Sequence, residues 1–70
     1  MNKYTISTSF DMANRGAWVR SGEAESAEDF AKREFPNAPY GYEMFIHPCM
    51  DIVFVKYQRT GSSYMVFRIG

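Results

Sequence analysis

Residues 3–10, KYTISTSF, alternate in character. Tyr4, Ile6, Thr8 and Phe10 fall on one side and Thr5, Ser7 and Ser9 on the other, the period of a strand with one buried and one wet face. DMANRG follows with turn chemistry, Asn14 and Gly16 being residue types that tolerate positive φ. AWVRS, 17–21, reads as a second strand pairing back on the first. The pattern then changes period. In SAEDFAKREF, Ala27, Phe30, Ala31 and Phe35 share one face at a spacing of 3.6 residues, which predicts a helix. Ser26 is its N-cap, and Asp29 holds the third position of a capping box where Glu or Gln is preferred. Glu28 and Asp29 suit the positive end of the helix dipole, Lys32 and Arg33 the other end, and Pro36 stops the helix. After PNAPYG come three strand candidates, YEMFIH (42–47), DIVFVKYQ (51–58) and SYMVFRI (63–69), separated by the turn segments HPCMD and RTGS. Such short connections imply antiparallel neighbours. The order is ββαβββ, an α+β fold with an antiparallel sheet of four to five strands and one helix packed on one face.

The run Ile52–Val53–Phe54–Val55 is apolar without interruption, so a strand here is apolar on both faces. A four-residue loop at 59–62 sets Tyr57 across from Tyr64 and Val55 from Val66. One face of the hairpin then carries Ile52, Phe54, Met65, Phe67 and Ile69, and the other Val53, Val55, Tyr57, Tyr64 and Val66. A five-residue loop recombines the halves, and still neither face becomes polar. One short helix covers one face. The other needs a curl of the sheet, the N-terminal hairpin folded over it, a second copy, or a partner.

Composition narrows the choice. Seventy residues, 46% hydrophobic and 17% aromatic, describe one small folded domain near the lower size limit for an unstapled core. The lone Cys49 forms no internal disulfide, no spacing suggests a metal or cofactor site, and a single free thiol places the chain in the cytoplasm. Eight basic and eight acidic residues cancel, which argues against a general binder of nucleic acid. The start, MNKYTISTSF, has no apolar run of signal-peptide or membrane-span length, and the chain reads as a complete small open reading frame.

Three segments invite chemical readings. TGSSYMVF, 60–67, matches the core octamer of the RNA-recognition motif at Gly61, Tyr64 and Phe67. Thr60 replaces its basic residue, Ser62 replaces a base-stacking aromatic, and no second helix fits between residues 47 and 63. HPCMD sets His47, Cys49 and Asp51 at alternate positions, where a turn explains them better than a nucleophile with its base or a metal site. GEAESAED carries Glu23, Glu25, Glu28 and Asp29, either a solvated helix start or an acidic patch for a basic groove. There is no phosphate-cradling loop, catalytic triad or paired-carboxylate cleft, so a binding module is expected rather than an enzyme.

The layout, one helix begun by SAEDFAKREF and antiparallel strands YEMFIH, IVFVKYQ and SYMVFRI in a small neutral chain, resembles that of phage anti-CRISPR proteins. The resemblance is one of size and architecture and carries over no functional residues. It implies an inhibitor that binds a host CRISPR effector and blocks target DNA or a conformational step. On the residues themselves, the expected partner-binding set is Trp18, Glu23, Glu25, Glu28, Asp29, Tyr40, Tyr42, Tyr57 and Tyr64. Two other classes remain in view: a homo-oligomer, the simplest being a homodimer joined through the second hairpin face, and a single-stranded nucleic-acid binder using Tyr57, Tyr64, Lys56 and Arg59.

Overall fold

The computed structural model describes residues 1–35 and 41–70. Five strands, β1 (Asn2–Ser7), β2 (Trp18–Ala24), β3 (Tyr42–Ile46), β4 (Ile52–Tyr57) and β5 (Ser63–Arg68), form one sheet in the order β2-β1-β5-β4-β3. Every neighbouring pair is antiparallel. The helix α1 (Ala27–Glu34) lies in sequence between β2 and β3, the two edges of the sheet, and packs against its face. The expected α+β arrangement is therefore present, with five strands. Beyond the β1–β5 ladder, Lys3 N–H donates to Gly70 O at 3.1 Å and Ile69 N–H to Lys3 O at 2.8 Å.

The helix forms where its pattern places it. Ser26 Oγ accepts the Asp29 N–H at 3.1 Å, and Ala27, Phe30 and Ala31 are buried, with Phe35 at the C-cap buried beside them. The expected stop at Pro36 falls outside the described residues. Phe30 stacks on Tyr4 with ring centroids 6.2 Å apart. Gly22 lets the helix approach β2, since a Cβ there would lie 2.9 Å from the Phe30 ring. Beneath the helix lie Tyr4, Ile6, Val53, Val55 and Val66, with Tyr42, Met44, Tyr57 and Tyr64 at the margin.

Arg20 on β2 reaches the end of the helix, its Nη1 lying 2.9 Å from Glu34 Oε1. The hydrogen bond from Arg20 holds the Glu34 carboxyl below its ordinary value of 4.5; burial opposes this, and Arg33 adds to it. A lowered folded-state value means a stabilisation that is complete above the ordinary value and lost as pH falls through the lowered one. The stability advantage over Glu34→Gln in urea titrations is expected to be largest near neutrality and to shrink on acidification. An advantage independent of pH would contradict the ion pair.

The opposite face is closed differently from the wet face expected on β1. Thr5 and Ser7 on that face are fully buried. Their hydroxyls are satisfied locally: Thr5 Oγ1 donates to Arg20 O at 3.1 Å and accepts from Ser21 Oγ at 2.9 Å, while Ser7 Oγ donates to Ser9 O at 2.9 Å. The Ser9 N–H returns to Ser7 Oγ at 3.1 Å, turning the chain out of the strand at Ser7. Thr8 and Phe10 therefore do not extend β1. Nor do Asn14 and Gly16 take positive φ; among the described residues that conformation belongs to Gly41 and Gly61, and Arg15–Ala17 form a 3-10 turn. The connection from 8 to 17 instead folds over the sheet. Phe10 meets Phe54 edge-on at 5.5 Å, and Trp18 meets Phe67 edge-on at 6.1 Å, over a cluster of Ile52, Met65 and Phe67.

The β4–β5 register is displaced from the expected one. Val55 lies opposite Tyr64 and Val53 opposite Val66, a slide of two residues that keeps every side chain on its expected face. The connecting turn is still four residues long but lies one position earlier, at 58–61: the Tyr57 N–H donates to Ser62 O at 2.9 Å, and the N–H of Gly61, a residue at φ 72°, reaches back to Tyr57 O at 2.9 Å. Thus α1 covers the face of Val53, Val55, Tyr57, Tyr64 and Val66. The face of Ile52, Phe54, Met65 and Phe67 is left to the 8–18 segment.

Candidate interaction surface

The acidic residues fall at the end of β2 and the start of α1. Glu23, Glu25 and Asp29 are exposed, but Glu23 lies across the ladder from Lys3, and Glu28 Oε2 is 2.7 Å from Lys32 Nζ. Two of the four carboxylates thus have a cation beside them, which dilutes the patch. Asp51 joins this end from the β3–β4 turn. Its Oδ1 accepts the Ala27 N–H at 2.7 Å, and its Oδ2 accepts the hydroxyl of the buried Tyr4. Burial first, and that hydrogen bond second, push the Tyr4 hydroxyl above its usual pKa. In HPCMD, His47 Nδ1 accepts the N–H groups of Cys49 at 3.1 Å and Met50 at 2.9 Å. The segment is a turn and a helix cap, and among the described residues no three His, Cys, Asp or Glu side chains gather as a metal site.

The tyrosines gather at the far end of the helix. Phe35 has ring centroids of Tyr42, Tyr57 and Tyr64 at 6.3, 6.1 and 5.6 Å, and Tyr42 donates its hydroxyl to Phe35 O. All three are half-buried margins of the core rather than free-standing platforms. Tyr40 lies outside the described residues. Lys56, one position before Tyr57, points to the opposite face. Tyr64 and Phe67 of the RNA-motif match also point to opposite faces, and Phe67 is buried. Trp18 is half-buried on Phe67, with the Arg15 guanidinium 5.7 Å from its ring centre.

What remains open is the part of the second face that the 8–18 segment does not reach. There Phe10, Phe45 and Phe54, with Lys56 and Ser63, line an apolar groove of about 320 Å³. Phe10 is 60% exposed and Phe45 56%. Neither was among the residues expected from the sequence to bind a partner. The signal was the alternation in YEMFIH, which sets Phe45 with Glu43 on the face away from Tyr42, Met44 and Ile46, directly across from Phe54. No protein-family model, curated protein or solved structure matches this chain. Among the described residues no helix is long and apolar enough to cross a membrane.

Proposed function

We propose that this chain is a non-catalytic binding protein that inhibits a larger nucleoprotein complex, of the CRISPR-effector class, by occupying its surface and blocking nucleic-acid binding or a conformational step. The observation that carries the binding reading is the open groove of Phe10, Phe45 and Phe54. Exposed aromatics that rest on a packed sheet lose little freedom on binding, and such residues dominate the energetics of protein interfaces. The exposed carboxylates Glu25 and Asp29 add a surface that favours a basic partner. The choice of target class rests on the resemblance of layout.

The test uses purified effector ribonucleoprotein and its labelled target DNA. Added protein is expected to suppress the mobility shift of the DNA, and Phe10→Ala with Phe45→Ala to weaken that suppression at least tenfold, the ~1.4 kcal/mol or more expected of hot-spot aromatics. Both side chains are mostly exposed, so the variant keeps its fold. Failure to bind any effector class would remove the target assignment. Undiminished inhibition by the double variant would remove the groove.

A further inference from the structure

The free edge of β3 is a second surface, and its main-chain geometry follows from the ladder with β4. His47 N–H donates to Ile52 O at 3.0 Å and Gln58 N–H to Gly41 O at 3.1 Å. Odd-numbered positions 41 to 47 therefore turn their main-chain groups toward β4. Tyr42, Met44 and Ile46 turn theirs the other way, toward an edge that no strand among the described residues occupies. The two edges of the sheet differ in protection. The β2 edge carries a register break opposite Ile6 and Ser7 and exposed Arg20, Ser21 and Glu23, devices that discourage pairing. The β3 ladder is unbroken, and the edge presents Glu43 as its one charge beside Phe45 and Ile46, the latter 49% exposed.

We infer that β3 pairs antiparallel with β3 of a second copy about a two-fold axis through Phe45, joining two sheets into one of ten strands. The occupant is decided by the pattern of the strand itself. Residues 43–47, Glu-Met-Phe-Ile-His, read acid, apolar, aromatic, apolar, base, a sequence complementary to its own reverse. With Phe45 opposite Phe45 of the second copy, Met44 faces Ile46 of the second copy and Glu43 faces His47. Met44 and Ile46 then form the hydrogen-bonded pairs, giving four main-chain bonds across the axis. The aromatic pair and the Glu–His pairs take the closer, non-hydrogen-bonded positions, where cross-strand side chains interact most.

Because His47 Nδ1 already accepts two turn N–H groups, its neutral proton sits on Nε2, a donor for the facing carboxylate. The neighbouring registers are poorer. Centring on Met44 sets Glu43 against Phe45, and centring on Ile46 brings Pro48, without an N–H, into a bonding position. Zero net charge adds no long-range repulsion between copies. The pairing also sets the two Phe45 rings side by side, so the two grooves meet at the axis. It stands apart from the effector reading, since it needs no other molecule.

Sedimentation equilibrium on the purified chain is expected to show a monomer–dimer equilibrium in the micromolar range. A monomer at all concentrations up to hundreds of micromolar overturns the inference. Ile46→Pro removes an edge N–H that β4 does not use, and should raise the dimer dissociation constant at least tenfold while the circular-dichroism spectrum is retained. Should that variant unfold, Phe45→Lys at the exposed ring position replaces it, with the same expectation; a dimer unchanged by whichever variant folds overturns the edge assignment. In a Cys49→Ser background, Phe45→Cys should form an intermolecular disulfide on mild oxidation, because the paired Cα atoms would lie about 4.5 Å apart, within bridging range. Crosslinking by Met44→Cys and not Phe45→Cys overturns the register.

Discussion

Phe30→Ala is expected to leave the chain largely unfolded near room temperature, or at least to lower its melting temperature by more than about 12 °C. Phe30 is 1% exposed, stacks on Tyr4, and stands at the centre of the helix face buried on the sheet. Truncating a buried phenylalanine costs roughly 3–5 kcal/mol, the lost transfer energy plus the cavity left behind. A domain of this size has only about 3.5–10 kcal/mol in total. The neighbours cannot collapse inward easily, because the ring sits directly over Gly22, which has no side chain to fill the gap. Thermal unfolding followed by circular dichroism checks this, and a melting temperature within a few degrees of wild type would show that the helix is not what secures the sheet.

Asp51→Ala should cost about 2–4 kcal/mol, an effect large for a side chain in an exposed turn. One carboxylate oxygen holds the first N–H of α1 and the other the hydroxyl of Tyr4, a residue with no exposed surface. Removing it leaves an orphan donor at the helix start and a buried hydroxyl without its strongest acceptor. The two contributions separate in a double-mutant cycle. Tyr4→Phe removes the hydroxyl, so Asp51→Ala in that background should cost at least about 1 kcal/mol less than in the wild type. Additive costs in denaturant titrations would mean that the two groups do not share a bond in solution.

The alternation of residues 3–7, the 3.6-residue spacing of Ala27, Phe30, Ala31 and Phe35, and the short apolar runs at 17–21 and between 42 and 69 are local patterns, and together they carry the order ββαβββ. The face assignments in 52–69 were legible for the same reason, since a slide of two residues preserves parity. The register itself was not, because it depends on where the turn begins, and Gln58 suits the last position of the strand as well as the first of the turn. In the sequence Asp51 looks like part of an ordinary turn, because its partners lie 24 and 47 positions away. The burial of Thr5 and Ser7 was hidden by their polarity; nothing local says that their hydroxyls would be consumed by Arg20, Ser21 and Ser9. The strand period runs on past Ser7 to Phe10 in the sequence, while the backbone turns at Ser7. The acidic residues were easy to see as a group, but Lys3 and Lys32, which temper them, became their neighbours only through the ladder and the helix turn.

The sheet order has a consequence for how the chain is made. The last strand, β5, lies third of five, between β1 and β4. While the ribosome is still synthesising residues 58–62, the β1–β2 hairpin and the helix have nothing to join them to β3 and β4, and the faces around Ile6 and Val53 stay wet. Closure must wait for Tyr64, Val66 and Phe67 to emerge, and then for β5 to find β1 across some sixty residues of chain. Pairings this distant are slow to form. Until then both open strand edges are exposed, which makes the period of synthesis, rather than the finished fold, the time when the protein is most vulnerable to aggregation and to proteases.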